Sequence, residues 1–149
     1  MLLTGNGESF CFEEAGRSFG INPRLLYSIA EVESGLNQQA RGININNTED
    51  IGLMQVNSSW ISKLSFDRER LFSDSCYNVR AGARILSGCI NTYGYNWKAV
   101  GCYNAVSTTK RIAYSWKIFN ALKAEKKHKY YASVMEHGIR VKIRSIYDD

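Results

Sequence analysis

The sequence predicts an α+β fold that is mainly α-helical, with one small antiparallel β-hairpin or ribbon near residues 41–57. Apolar residues recur at helical spacing over most of the chain, and its single proline leaves few places where a helix must break. Near residues 41–57 that spacing disappears. There Ile43 and Ile45 alternate with polar residues ahead of the turn signal Asn46-Asn47. These observations favour a helical domain that carries a short β-insertion.

The first well-marked helix is expected to begin at Pro23 and to end at Ser34. Asn22 is a good N-cap residue, and proline at the first helical position loses nothing because its N–H would have no partner there. Gly35 suits the left-handed position after the last turn, and Leu36 supplies the apolar contact that often follows such a cap.

Further helices are indicated downstream. One begins near Asp67, and two more cover residues 75–93 and 97–104. A last helix is expected behind a cap at Thr108 or Thr109. Its apolar residues are Ile112, Trp116, Phe119 and Leu122.

The length of 149 residues and the 44% hydrophobic composition suit a single domain with one core. We predict that residues 1–149 form this domain, with a core over about 10–124 and a basic C-terminal extension over about 125–149. Residues 110–149 contain ten Lys/Arg and four Asp/Glu, so they hold a net charge of +6 in a chain of net charge +5. No apolar stretch is long enough to predict a membrane span.

The cysteines Cys11, Cys76, Cys89 and Cys102 are widely spaced, and no His lies near them. This spacing argues against a metal site, and we expect neither a metal nor a cofactor. An even number of cysteines suits two disulfides and an oxidising compartment. Four buried free thiols are an equal alternative when the cysteine count is considered alone.

Glu33 is the first candidate catalytic residue. It shares a helix face with apolar side chains and lies near the negative end of the helix dipole. Both surroundings disfavour the carboxylate and raise its pKa, as a general acid working near neutral pH requires. For an isolated helical Glu, a simple ion pair with a nearby Arg is the commoner role.

Asp50 is the second candidate, seventeen residues after Glu33. A carboxylic acid in an apolar niche, facing a carboxylate in a polar one, is the arrangement that glycosidases use. The alternative is a turn-forming Asp with no catalytic role, because Asp is common in turns.

Three short motifs then occur in a fixed order: ESGLN at 33–37, GLMQVN at 52–57 and YNA at 103–105. Together they resemble the successive motifs of the soluble lytic transglycosylases, which are lysozyme-like proteins. Within that family the chain is similar to the small periplasmic enzymes associated with type III and type IV secretion systems.

The resemblance implies a lysozyme-like fold and a role for several residues. Glu33 matches the acid/base of the family, Gln55 the cleft glutamine that binds substrate, and Tyr103 the tyrosine beside the catalytic carboxyl. Typical relatives lack a carboxylate at the position of Asp50, whose surroundings instead resemble c-type lysozymes. The remaining candidates for substrate binding are Ser34, Asn57 and Asn104.

Two disulfides are predicted within this frame. Cys89 and Cys102 lie on consecutive predicted helices, and an antiparallel helix pair can bring them within bonding distance. Cys11 then pairs with Cys76. Disulfides imply export, so we expect a periplasmic protein whose signal peptide has been removed.

The implied reaction is cleavage of the β-1,4 bond between N-acetylmuramic acid and N-acetylglucosamine in peptidoglycan, with a 1,6-anhydro product. It would open the wall locally for a secretion apparatus, whose proteins could bind the basic C-terminal region. One alternative is a hydrolase that uses Glu33 and Asp50. Another is a catalytically silent structural component of a secretion system. Nucleic-acid binding is not expected, because the basic region lacks a reading module.

Overall fold

A computed structural model of the chain describes residues 7–136. The helices in this range are α1 (Gly7–Phe19), α2 (Pro23–Ser34), α3 (Ser59–Leu64), α4 (Arg68–Ser73), α5 (Ser75–Tyr93), α6 (Trp97–Asn104) and α7 (Thr108–Glu136). The strands are β1 (Arg41–Ile43), β2 (Glu49–Ile51) and β3 (Val56–Asn57). The mainly helical α+β architecture expected from the sequence is confirmed.

Helix α2 has the ends that its sequence predicts. The Asn22 side chain accepts a hydrogen bond from the Arg24 N–H at 3.0 Å, and Pro23 occupies the first turn. At the other end Gly35 adopts the left-handed conformation, with φ 62°, and its N–H donates to the Glu31 carbonyl. These two caps fix where the helix stops, and therefore where Glu33 lies relative to the sheet.

The β-insertion is a three-stranded antiparallel sheet in the order β1-β2-β3. Asp50 in the central strand is opposite Gly42 on one side and Asn57 on the other. The turn between β1 and β2 closes with a hydrogen bond from the Asn44 N–H to the Thr48 carbonyl. Ile43 is 73% exposed, so the alternation that predicted this region does not mark a face packed on the core.

Helix α5 lies at the centre of the core and contacts α1, α2, α4, α6 and β3. Its Asn78 is fully buried, and the side-chain amide makes three hydrogen bonds. The Nδ2 atom donates to the carbonyls of Ile51 and Leu71 at 2.9 and 3.0 Å, and Oδ1 accepts from the Met54 N–H at 2.8 Å. One polar side chain thus joins the end of β2, the following loop and α4.

The loop after β2 is packed so tightly that it requires a glycine. Gly52 has φ 71°, and a Cβ atom there would lie 2.4 Å from Nδ2 of Asn78. On its other side the loop is attached to α2, because the Ser34 hydroxyl donates to the Leu53 carbonyl at 2.8 Å. Helices α2 and α5 therefore hold this loop from two directions.

Helix α7 differs in detail from the sequence expectation. It begins behind Ser107, whose hydroxyl accepts from the Lys110 N–H at 3.4 Å, so neither Thr108 nor Thr109 is the cap. Between residues 108 and 126, where burial is described, its buried residues are Tyr114 and Ile118. The apolar stripe that identified the helix is instead largely exposed, at Ile112, Trp116 and Phe119.

Helix α7 passes through residue 125 without a break and continues to Glu136. Residues 137–149, which form the rest of the proposed basic extension, lie outside the described residues. The division of the chain into a core and an extension near residue 125 stays a prediction.

Two disulfides bind α5 to its neighbours. Cys11 on α1 is bonded to Cys76, with the Cα atoms 5.2 Å apart, and Cys89 is bonded to Cys102 on α6, with a Cα separation of 5.9 Å. These are the two pairs that the sequence suggests. They join the helices that flank the core to its central helix.

We predict that Asn78→Leu lowers the free energy of unfolding by about 3–5 kcal/mol, because three buried backbone groups lose their partner. Asn91→Leu is the matched control, since Asn91 is exposed on the same helix, and it should change stability by less than about 0.5 kcal/mol. Urea unfolding under non-reducing conditions measures both. Equal stability of the two variants would show that the Asn78 bonds do not hold the loop.

Candidate active site

A cleft of about 870 Å³ lies between the β-sheet and the helices, and both candidate carboxylates line it. Glu33 reaches it from the last turn of α2. One wall comes from the sheet and its turn, between Asn44 and Asn57, and the opposite wall comes from residues 102–106 at the end of α6. Two of the residues that flank Glu33, Ala30 and Ile29, are fully buried, which places this part of α2 against the core.

The Glu33 side chain is largely removed from water. The Tyr114 hydroxyl donates to its Oε1 atom at 2.6 Å. Burial raises the pKa of Glu33 above the usual value, and the nearby charge of Asp50 also raises it. Side-chain hydrogen bonds with Tyr114 and Asn104 and the charge of Lys117 act in the opposite direction without cancelling the effect of burial. The site therefore favours a protonated Glu33.

Asp50 has a very different environment. The amide of Asn57 donates to its Oδ1 atom at 2.8 Å, and the amide of Asn44 donates to its Oδ2 atom at 2.9 Å. The Thr48 hydroxyl accepts from the same two amides. Each carboxylate oxygen of Asp50 is thus held by a neutral donor. The cleft combines one carboxyl group in a buried niche with another in a polar one.

Gln55 and Tyr103 complete the wall beside the carboxyl groups. The Gln55 amide donates to the Gly52 carbonyl at 2.9 Å, which fixes the side chain over the loop after β2. The Tyr103 hydroxyl donates to the Met54 carbonyl at 2.7 Å. Burial, and then the negative charges of Glu33 and Asp50, raise the pKa of Tyr103 well above its usual value. Tyr103 therefore remains a neutral hydrogen-bond donor.

Of the other residues predicted from the sequence to bind substrate, two line the cleft and one does not. Asn57 and Asn104 line the cleft. Ser34 is not among its lining residues, and its hydroxyl donates to the carbonyls of Leu53 and Ala30. Its visible contacts are structural ones. Substrate binding by these residues stays a prediction.

Several site residues were missed by sequence reasoning. Tyr114 contacts Glu33 from α7, eighty-one residues along the chain, and Asn44 contacts Asp50 from the turn after β1. The one available signal for Tyr114 is its spacing of four residues from Ile118, which gives a second apolar face on α7. Only the packing of the helix shows which of its two faces is buried.

Within residues 7–136 no helix is long and apolar enough to cross a membrane. The same range shows no group of three or more His, Cys, Asp or Glu side chains that could hold a metal ion.

Comparison with known families decides the classification. The family model described as "Transglycosylase SLT domain" matches residues 10–124, which is most of the chain. The chain belongs to the transglycosylase SLT family. The match covers all three motifs and every residue that lines the cleft, and it confirms the resemblance drawn from the motifs.

Relatives of this SLT protein are found in enteric bacteria. "Invasion protein IagB" of Salmonella typhimurium (strain SL1344) is 41% identical over 104 residues, which are 68% of this chain and 65% of that protein. "Protein IpgF" of Shigella flexneri is 37% identical over 108 residues, 70% of this chain and 71% of that protein. "X polypeptide" of Escherichia coli (strain K12) is 35% identical over 128 residues, 78% and 76% of the two chains.

We predict that Tyr114→Phe in this SLT protein raises the pKa of Glu33 further, because the variant loses a hydrogen bond that stabilises the carboxylate. Carbon-13 NMR titration of the labelled Glu33 carboxyl measures it. Tyr95→Phe is the control, since the Tyr95 hydroxyl contacts the Asn22 N–H at the far end of α2. A Glu33 pKa that is unchanged in Tyr114→Phe, or that shifts equally in the control, would contradict the assigned contact.

Proposed function

We propose that this SLT protein is a lytic transglycosylase that cleaves the β-1,4 bond between N-acetylmuramic acid and N-acetylglucosamine in peptidoglycan. Membership of the SLT family supports peptidoglycan as the substrate. The observation that carries the proposal is the partly buried Glu33, whose raised pKa suits a general acid and which lines an open cleft. A cleft open to solvent suits a polymer that extends beyond the site on both sides.

The contact with Tyr114 suggests which oxygen of Glu33 transfers the proton. The Tyr114 hydroxyl donates to Oε1, and burial raises the pKa of Tyr114 well above its usual value, so this hydroxyl keeps its proton. A protonated Glu33 then carries its own proton on Oε2. We assign Oε2 to the protonation of the glycosidic oxygen, which lets the bond to C1 break as positive charge develops at C1.

After bond cleavage Glu33 is a carboxylate and acts as a base. It accepts the proton of the muramyl 6-hydroxyl while that oxygen attacks C1, and the product is the 1,6-anhydro sugar. The proton count balances, because Glu33 gives one proton to the leaving oxygen and regains one from the 6-hydroxyl. No water is consumed in this sequence.

Asp50 supports a second candidate outcome, which is hydrolysis. Two amides hold its carboxylate in the cleft, and a carboxylate there can stabilise positive charge at C1. In a hydrolase, water completes the reaction in place of the 6-hydroxyl. Mass spectrometry separates the outcomes, since the hydrolytic product is heavier by one water.

A catalytically silent protein is the weaker alternative, because it has no need for a buried acid in an open cleft.

We also propose a periplasmic location and a role beside a secretion apparatus. The two disulfides support an oxidising compartment. One relative is named an invasion protein, which is consistent with a role at the cell envelope. Binding of secretion proteins by the basic C-terminal region remains part of this proposal.

We predict that Glu33→Gln lowers the rate of peptidoglycan cleavage about 100- to 10,000-fold, since the amide keeps the shape of the side chain but transfers no proton. The matched control is Glu31→Gln, an exposed position on the same helix, which should keep full activity. Cleavage is followed by mass spectrometry of released muropeptides. A folded Glu33→Gln protein that cleaves at the wild-type rate would exclude the acid role.

Asp50→Asn should slow cleavage about 10- to 1,000-fold, because the variant removes the negative charge opposite developing positive charge. Asp67→Asn is its control, since both Asp and Asn cap α4 well. If Asp50 only organises the amides of Asn44 and Asn57, the folded Asn variant should keep its activity even if it is less stable. Wild-type rates in a folded Asp50→Asn protein would thus assign all of the chemistry to Glu33.

A further inference from the structure

A second groove lies where α7 crosses the end of α5 and the start of α6, and it is more apolar than the cleft. It encloses about 570 Å³ and is lined largely by apolar and aromatic side chains. Arg111 borders both this groove and the cleft. The aromatic and aliphatic residues of the groove, named here the α7 groove, are Tyr93, Trp97, Ile112, Trp116 and Phe119.

The side chains of the α7 groove are exposed to solvent, and contacts among their rings hold them in place. Trp116 is 58% exposed and Ile112 is 56% exposed, although buried Tyr114 and Ile118 already attach α7 to the core. The Phe119 ring meets the Trp97 and Trp116 rings edge to face, each at a centroid distance of 5.6 Å. The groove is therefore formed before any partner binds, and contiguous exposed apolar surface of this kind marks an interaction site.

The chemistry of the groove favours a helix over a sugar. Ile112, Trp116 and Phe119 are spaced four and three residues apart on one helix, which is the spacing that packs against another helix. Sugar sites need hydrogen-bonding groups beside their aromatic rings. Here the Ser115 hydroxyl donates to the Trp97 carbonyl, and Arg111 donates to the Ala105 carbonyl and the Tyr93 hydroxyl. The polar groups of Ser115, Arg111 and Tyr93 thus already form hydrogen bonds within the protein.

The positive charge around the α7 groove indicates which kind of helix would bind there. Residues 97–126 contain six Lys or Arg and a single acidic residue, Glu125. Lys98 and Arg111 line the groove itself. Lys123 and Lys126 are exposed on α7, four and seven residues after Phe119, so they continue the same helix face. A second copy of this chain would bring the same positive charge to the contact, which opposes self-association. An acidic partner would be attracted by the positive charge around the groove.

We propose that the α7 groove docks an amphipathic helix of a partner protein, with an apolar stripe that fills the groove and acidic residues that face the basic rim. This interaction does not depend on the cleavage reaction. Apart from Arg111, the residues that line the groove do not line the cleft.

The test uses two synthetic helical peptides of about five turns that share one leucine stripe. Their flanking positions are Glu in one peptide and Lys in the other. Fluorescence anisotropy of each labelled peptide is titrated with wild type, Trp116→Ser, Ile112→Ser and the matched control Ile43→Ser. Ile43 is an aliphatic residue with 73% exposure on β1, away from the groove.

The proposal predicts that the Glu peptide binds wild type and Ile43→Ser equally. Its binding should weaken about tenfold or more in Trp116→Ser and Ile112→Ser. The Lys peptide should bind at least about tenfold more weakly than the Glu peptide, and added salt should narrow that difference.

Three outcomes would overturn the proposal. The first is failure of the Glu peptide to bind, or equal binding to all four proteins. The second is sedimentation of wild type, but not Trp116→Ser, with phosphatidylglycerol vesicles while the peptide fails to bind, which would assign the groove to a membrane surface. The third is concentration-dependent dimerisation that Ile112→Ser abolishes, which would assign it to a second copy. Near-ultraviolet circular dichroism of each variant verifies that the fold is intact.

Discussion

The hydrogen bonds of the buried Asn78 amide are the constraint on which the cleft depends. They hold the end of β2, the following loop and α4 at fixed positions relative to α5. That loop carries Gln55, and β2 carries Asp50, so one side chain in the core positions most of the wall opposite Glu33. A buried polar group is costly unless its partners are all present, and Asn78 has all of its own. The geometry of the cleft and the stability of the core are therefore coupled in this fold.

The two carboxyl groups differ because they come from different layers of the structure. Glu33 projects from a helix end that packs on the core, and burial dominates its pKa. Asp50 projects from a three-residue strand at the protein surface, where the neighbouring turn and strand supply amide donors. The different environments of the two carboxyl groups thus follow from one on a packed helix and another on a short sheet, and this is the arrangement expected for the proposed glycosidase roles.

Local signals in the sequence predicted much of this structure. Capping residues predicted the ends of α2, and apolar periodicity predicted α5 and α6. Both signals depend only on residues that are close together along the chain. The pairing of Cys89 with Cys102 followed from two adjacent helices. Periodicity also predicted α7, but it did not show which of the two apolar faces of that helix is buried. The Tyr114 face is buried against Glu33, and the more strongly apolar Trp116 face is exposed.

The site residues that the sequence did not reveal are those that contact the carboxyl groups from distant parts of the chain. The Tyr114 hydroxyl and the Asn44 amide reach the carboxyl groups only because α7 and the β-turn close on opposite sides of the cleft. Ser34 shows the reverse problem. The motif places Ser34 next to the proposed catalytic residue, whereas in the fold its hydroxyl attaches α2 to the loop after β2. A motif indicates which residues lie near a site, but it does not show the role of each residue.

The central claim is that packing raises the pKa of Glu33 and so favours the protonated carboxyl that a general acid needs. It is tested most directly by comparing two pH profiles of the same wild-type protein. One is kcat/KM for the cleavage of soluble glycan strands, and the other is the NMR titration of the Glu33 carboxyl. Because the acid must be protonated, the rate should fall as the pH rises through the raised pKa of Glu33. Coincidence of the two midpoints is the predicted result. A rate that stays constant while the Glu33 carboxyl loses its proton would contradict the account.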